Sequence, residues 1–188
     1  MASGRRRDER LNGNTLLNRC GRGDQEAWRE LFERYAAAVY RWSRFFGIGA
    51  SGAEDLTQEV FVTAFRHIGA CRSEGQIAPW LFQITRRKAA NARRLGWFRR
   101  MIGSGDGAGR DAGSPEGGSP MPAGVELSRD LENVLRRMPL KLVDVLVLHD
   151  LDGRSRSEIA AVLGLAEGTV AGRLANARAL FSELWEAE

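Results

Sequence analysis

An all-α protein is what this sequence predicts: two small helical domains joined by a flexible linker, the second of them a helix-turn-helix domain. Three observations carry that prediction. Apolar residues recur at helical spacing in long stretches on either side of the middle of the chain. Between them, the segment from Gly103 to Gly124 is dense in Gly, Ser and Pro, with Asp106, Asp111 and Glu116 outweighing Arg110. Finally, Ser155 to Leu180 reads as two short helices around a glycine turn. With 188 residues the chain suffices for one large domain or two small ones, and the linker favours two. The expected divisions are a disordered tail over 1–22, a helical domain over 23–102, the linker over 103–124 and the helix-turn-helix domain over 125–188.

The elements follow in order. Residues before about Gly23 are polar and carry Gly and Asn, a composition that reads as disordered. Asp24 is placed to cap a helix in which Trp28, Leu31, Phe32, Tyr35, Val39 and Trp42 keep helical spacing, and Gly47 and Gly49 end it. Ser51 or Gly52 opens a second helix. Leu56, Val60, Phe61, Ala64, Phe65 and Ile68 fall on one half of its wheel, and Asp55, Gln58, Glu59, Val62 and Arg66 on the other. Gly69 closes it, and Ala70 to Ala78 form a polar loop. Pro79 suits the first turn of a third helix running from Trp80 to Arg94 or beyond. After the linker, Val125 to Arg137 is helical, and Pro139 restarts the chain into an apolar helix carrying Leu142, Val143, Leu146, Val147 and Leu148, the expected packing partner of the last tract.

In that tract Ser155 and Glu158 form a Ser-x-x-Glu capping box, Ile159, Val162 and Leu163 supply a buried face, and Gly164 permits the turn. A helix starting near Glu167 turns Val170, Leu174, Ala177, Phe181 and Leu184 inward. Ala171, Gly172, Ala175 and Asn176 face outward, where a helix-turn-helix meets the major groove.

Composition narrows the function. The net charge is +4, and its clustering matters more than its size. On the third helix Gln83, Arg86, Arg87, Ala90, Arg93, Arg94 and Trp97 form one stripe without an acidic residue, opposite Leu81, Ile84, Ala92 and Leu95, with Lys88 snorkelling past them. Like charges at i, i+4 are unfavourable unless something anionic compensates, so the stripe points to phosphate. Trp80, Phe82, Trp97 and Phe98 add planar groups able to stack on unpaired bases, with a place in the core equally open to Trp80. No catalytic constellation, metal ligand set or cofactor motif is visible. His67 and His149 have no partner group at a useful spacing, and Cys20 and Cys71 stand apart from any ligand array. Two cysteines, no secretory signal and no bilayer-spanning stretch predict a reducing, cytoplasmic setting without membrane insertion.

Asp55-Leu56-Thr57-Gln58-Glu59-Val60-Phe61, Pro79-Trp80-Leu81-Phe82-Gln83-Ile84 leading to Arg93-Arg94, Ser157-Glu158-Ile159-Ala160, and Gly168-Thr169-Val170 through Arg173-Leu174 and Ala177-Arg178 occur in an order and spacing that resemble the extracytoplasmic-function sigma factors. The resemblance spans about residues 24 to 185. It implies a bacterial transcription initiation subunit, not an enzyme, that binds core RNA polymerase, directs it to promoters and nucleates their melting. It carries polymerase binding onto Asp55, Gln58 and Glu59. Capture of the melted strand of the proximal element passes to the Ala70 to Ala78 loop and to Gln83, Arg86, Arg87, Asn91, Arg93 and Arg94. Reading of the distal duplex element passes to Thr169, Ala171, Gly172, Arg173, Asn176 and Arg178. Family members are often held by an anti-sigma factor, a partner the resemblance brings without identifying one.

The recognition helix departs from the family's pattern. Members commonly start it with Ser or Pro and carry Lys, Ser and Arg where this chain has Ala171, Gly172 and Asn176. Ala166 offers no cap, at a typical cost of about 1 kcal/mol. The expected readout relies on close backbone approach, DNA shape and Asn176, with Arg173 and Arg178 on phosphates. The alternative is a helix-turn-helix regulator that binds duplex DNA without being a polymerase subunit, a reading that leaves the Asp55 to Phe61 and Trp80 to Arg94 tracts unexplained.

Overall fold

The structure is a computed structural model that describes residues 15–101 and 127–188, which are helical with no strand among them. The linker expected over 103–124 and most of the tail expected over 1–22 lie outside the described residues.

The chain enters through α1, Leu16–Gly21, which the polar composition of this stretch did not suggest. Thr15 caps it, and Leu16 and Cys20 are buried against α2, Gln25–Phe45. The joint is polar as well: Trp28 Nε1 donates to the Cys20 carbonyl at 3.1 Å, and Arg19 pairs with Asp24 at 2.8 Å and Glu30 at 3.3 Å. Asp24 accepts from the backbone N–H groups of Glu26 and Ala27, as its position predicts. The Arg19 hydrogen bond, with those backbone bonds, holds its carboxyl below the ordinary value. Ala27, Leu31, Ala36, Val39 and Trp42 form the buried stripe of α2. The helix stops at Phe46, and Gly47 takes a left-handed φ of +77° that a side chain with a Cβ adopts reluctantly.

Helix α3, Ala50–His67, buries Ala53, Leu56, Val60, Phe61 and Ala64, the face its wheel predicts. Phe65 is the exception, 60% exposed at the edge of that face. Two single 3₁₀ turns follow: Ile68–Ala70 overlaps the start of the expected loop and Glu74–Gln76 lies within it. Helix α4, Ile77–Met101, starts three residues earlier than expected and places Pro79 in its first turn. Ile77, Leu81, Phe82, Thr85 and Ala89 face the core at i, i+4 spacing. Phe82 is packed edge-on to Trp42, with ring centroids 5.3 Å apart.

The second unit begins with α5, Arg129–Arg137, capped by Ser128; Leu127 and Ser128 are not helical. Pro139 then leads into α6, Leu140–Leu146, extended by a π turn, Val147–Leu151. Helices α7, Arg156–Leu163, and α8, Glu167–Glu186, follow. As expected, Leu142, Val143, Val147 and Leu148 are buried where α6 packs on α8. The two units are closed on each other. Trp42, Phe46 and Phe82 of the first and Val134, Met138 and Val143 of the second belong to one continuous buried cluster.

Candidate nucleic-acid interface

Helix α4 was predicted to have a dry face and a cationic face, and the structure divides both. Leu81 is in the core and Ile84 is half-buried, but Ala92 is exposed and Leu95 is 55% exposed. The core-facing row ends at Ala89 among the described side chains, so the predicted dry stripe is wrong in its second half. Lys88 does not snorkel past it: its ammonium pairs with Glu59 of α3 at 2.8 Å. The planar residues also divide. Phe82 belongs to the core and Trp80 packs against it, whereas the side chains of Trp97 and Phe98 lie outside the described residues.

Along the cationic stripe, Gln83, Arg86 and Arg93 are half-buried because they meet the second unit. Gln83 Nε2 donates to the Val162 carbonyl at the end of α7. Arg86 Nε donates to Asp144 Oδ2 of α6 at 2.6 Å. Arg93 Nη2 donates to the carbonyls of Arg136 and, at 2.8 Å, Met138. The compensation expected from phosphate is thus provided here by a carboxylate and three backbone oxygens. Asp144 is fully buried, and its Oδ1 has no hydrogen-bond partner among the described residues. Burial pushes its carboxyl above the ordinary value, against the opposing pull of Arg86 and Arg173. Burial likewise lowers the guanidinium of Arg93, with Arg136 adding repulsion. Arg87, Asn91 and Arg94, on the flank of the stripe, are exposed and make no hydrogen bond or ion pair among the described residues.

On α3, Asp55, Gln58 and Glu59 are all exposed, although the Glu59 carboxylate is shared with Lys88. Beside Gln58 runs an apolar cleft lined by Trp28, Phe32, Phe61, Val62 and Phe65. Phe65 leans on Trp28 with ring centroids 5.1 Å apart. Sequence reasoning assigned Phe65 to the core and so missed this surface; the outward wheel position of Val62 was the available signal.

In the last tract the capping box is complete: Ser155 Oγ accepts from the Glu158 N–H, and Glu158 Oε2 accepts from the Ser155 N–H at 2.8 Å. Those bonds to Ser155 hold the Glu158 carboxyl low. Gly164 has φ of +66°, turning the chain into α8, whose first helical residue is Glu167 as the sequence predicts. Val170, Leu174 and Ala177 are buried. Thr169, Gly172, Ala175 and Asn176 are exposed, while Ala171 and Arg173 are half-buried. A Cβ at Gly172 would meet no atom of this chain within 4 Å, so packing does not require glycine there. Arg178 is exposed but engaged, donating to Asp150 Oδ1 at 2.6 Å. His149, for which the sequence offers no partner, sits 2.7 Å from the same carboxylate oxygen. Burial raises the Asp150 carboxyl, but the hydrogen bonds of Arg178 and His149 outweigh it and leave it below the ordinary value.

Cys20 and Cys71 are both buried and free, and burial pushes the Cys20 thiol up to about 11. Among the described residues no group of three His, Cys, Asp or Glu side chains is placed to hold a metal ion, and no helix is long and apolar enough to cross a membrane.

Comparison with known proteins places both units. Residues 31–99 match the Sigma-70 region 2 family and residues 128–181 match Sigma-70 region 4. The chain is 30% identical over 172 residues to the RNA polymerase sigma factor NccH of Alcaligenes xylosoxydans xylosoxydans, covering 90% of this chain and 92% of that one. It is 31% identical over 180 residues to the ECF RNA polymerase sigma-E factor of Escherichia coli K12, with 90% and 92% covered. Among solved structures, CnrH in complex with the cytosolic domain of CnrY superposes with a TM-score of 0.62 at 26% identity, over 92% of this chain and 96% of that one.

Proposed function

The chain belongs to the ECF sigma factors of RNA polymerase, and from that premise we propose how its surfaces divide the work of initiation. The first unit, over 23–102, binds core polymerase through Asp55, Gln58 and Glu59 and captures one strand of the proximal promoter element with Gln83, Arg86, Arg87, Asn91, Arg93 and Arg94. The second unit, over 125–188, reads the distal element as duplex with Thr169, Ala171, Gly172, Arg173, Asn176 and Arg178. The stretch over 103–124 links them. Melting then follows from binding: extruding a base costs a few kcal/mol, which phosphate contacts and stacking offset, so this subunit needs no hydrolysis. Core polymerase and promoter DNA are the partners, and an anti-sigma factor is the regulatory partner that family membership brings.

One observation supports this division above the others. The two matched family regions fall in order on the two helical units, and the first presents polar side chains where its task needs them. Asp55, Gln58 and Glu59 stand clear of the core on α3, and Arg87, Asn91 and Arg94 stand exposed on α4. The test is co-elution of the full chain with core polymerase, followed by run-off transcription on genomic fragments. Stable association and new start sites are expected. A chain that binds duplex DNA but neither associates with polymerase nor changes its start sites overturns the proposal in favour of a free-standing regulator.

A further inference from the structure

The corner of α8 that carries Arg178 is electrically neutral while one neighbouring imidazole is uncharged, and from this we propose that His149 is a further phosphate ligand for duplex DNA, one that binds only when protonated. The proposal rests on the reading of α8 as the duplex-reading helix.

The π turn builds the cluster. The Asp152 N–H returns to the Val147 carbonyl, five residues back, at 3.0 Å. With Val147 and Leu148 buried, this wide turn brings His149 and Asp150 out beside α8. There one carboxylate oxygen serves two groups: Asp150 Oδ1 accepts from Arg178 Nη2 at 2.6 Å and lies 2.7 Å from His149 Nδ1. The same Nη2 stands 3.4 Å from that ring nitrogen. A ring nitrogen so close to a carboxylate oxygen carries the hydrogen, which leaves Nε2 as the atom that gains or loses a proton. Nε2 makes no hydrogen bond among the described residues, and the side chain is 34% exposed, so a ligand can reach the ring.

Charge then decides what this corner does. With a neutral imidazole the Asp150 carboxylate cancels the Arg178 guanidinium, and a phosphate approaching the arginine meets an acid 2.6 Å from it. Protonation at Nε2 gives the cluster a net positive charge and turns a lone pair that repels phosphate into an N–H that donates to it. The guanidinium keeps further N–H groups for the same anion. Against the upward push of burial, the hydrogen bonds of Arg178 and His149 hold the Asp150 carboxyl below the ordinary value, so Asp150 remains the fixed charge of the cluster. Among the described residues, Asp150 and Arg178 are the charged groups within hydrogen-bond reach of His149. The acids of the neighbouring elements are engaged elsewhere: Asp144 of α6 with Arg86, Glu158 of α7 with Ser155, and Asp152, after the same turn, with Trp42 and Arg41 of α2. Imidazole is the side chain that changes charge between about pH 5 and pH 8. Duplex binding therefore takes up a proton here, and by linkage acid favours the complex.

Fluorescence anisotropy of the full chain with a labelled duplex of mixed sequence, at about pH 5.5 and about pH 8 and over a series of salt concentrations, tests this. His149→Gln retains every other titrating group, so the ratio of wild-type to variant affinity isolates this one. That ratio should rise about tenfold from the higher pH to the lower, the return of one charge-assisted contact. The slope of log affinity against log salt should steepen on acidification by about 0.9 more in wild type than in the variant, the counterion release of one phosphate. His149→Arg, permanently charged, should keep the acid-form affinity at both. A ratio that does not move with pH, while Arg178→Ala still weakens duplex binding, overturns the inference alone. Arg178→Ala without effect at the lower pH overturns it together with the placing of this corner of α8 on DNA.

Discussion

Replacing Ala166 with serine should stabilise the recognition helix, and the expected gain follows from the geometry of its first turn. Ala166 is the N-cap of α8, with φ of −75° and ψ of 146°, the extended conformation that an N-cap serine adopts without strain. Its carbonyl already accepts from Thr169 at 2.9 Å and Val170 at 3.1 Å, so the backbone is set for a cap, but no side chain accepts from the N–H groups of Gly168 or Thr169. Ser155 caps α7 from a similar backbone, with φ of −66° and ψ of 158°, and its Oγ accepts from the Glu158 N–H. Glu167 already complements the positive end of the helix, so charge is not the source of the gain. Restoring a missing cap contributes about 1 kcal/mol, which for a chain of this size raises the melting temperature by roughly 2–4 °C. Calorimetric unfolding of Ala166→Ser beside wild type and Ala166→Gly measures it. Glycine at a cap differs from serine by only a few tenths of a kcal/mol, so Gly should recover most of the gain. An unchanged or lowered melting temperature in both variants would refute the account of α8 as an uncapped helix.

Three further outcomes are expected. Because burial raises the Asp144 carboxyl, the folded state pays no ionisation cost below the unfolded carboxylate value near about 3.9, and it loses stability as pH rises from there through the raised value. Asp144→Asn removes that loss, so the melting temperature of wild type relative to the variant should climb as pH falls from about 7 to about 4; a constant difference counts against the buried carboxylate. Leu16→Ala, at a position 6% exposed, should cost about 2–4 kcal/mol in urea unfolding, whereas a cost below about 0.5 kcal/mol, the range of surface substitutions, means that α1 is not docked. Asn176→Ala should reduce promoter-directed transcription with the distal element intact and leave it unchanged when that element is scrambled; a variant as active as wild type on both templates removes Asn176 from readout.

What was legible in the sequence is what local chemistry decides. The capping box, the left-handed Gly164 and the inward row Val170, Leu174 and Ala177 are settled within one or two helical turns, and the structure reproduces each of them. The Asp24 cap and the apolar face of α3 are of the same kind. Helix α1 was missed because six residues are too few to establish a period, and because its stability comes from burying Leu16 and Cys20 against residues that follow it in the chain. Helix α4 misled for the opposite reason. Over twenty-five residues its pattern fits more than one buried stripe, and the choice belongs to the helices around it, which favour Phe82, Thr85 and Ala89 over Ala92 and Leu95.

The candidate site shows the same limit more sharply. A run of cations on one face states that an anion is required and says nothing about where it comes from; here Arg86 finds it in Asp144, 58 positions further along the chain. The signal was nonetheless present, in the partner and not in the stripe. Asp144 is one acid set among Leu142, Val143, Leu146, Val147 and Leu148, the apolar residues of the expected packing helix, and a buried carboxylate is tolerated only beside a charge or donor that answers it. The second unit offers Arg173 close enough to act on it, yet burial still dominates, and Oδ1 remains unpaired with both cations in place. An acid so poorly matched within its own unit is better explained by an interface than by a domain core. Pairing the unexplained acid of one unit with the unexplained cations of the other would have placed the two in contact from the sequence alone.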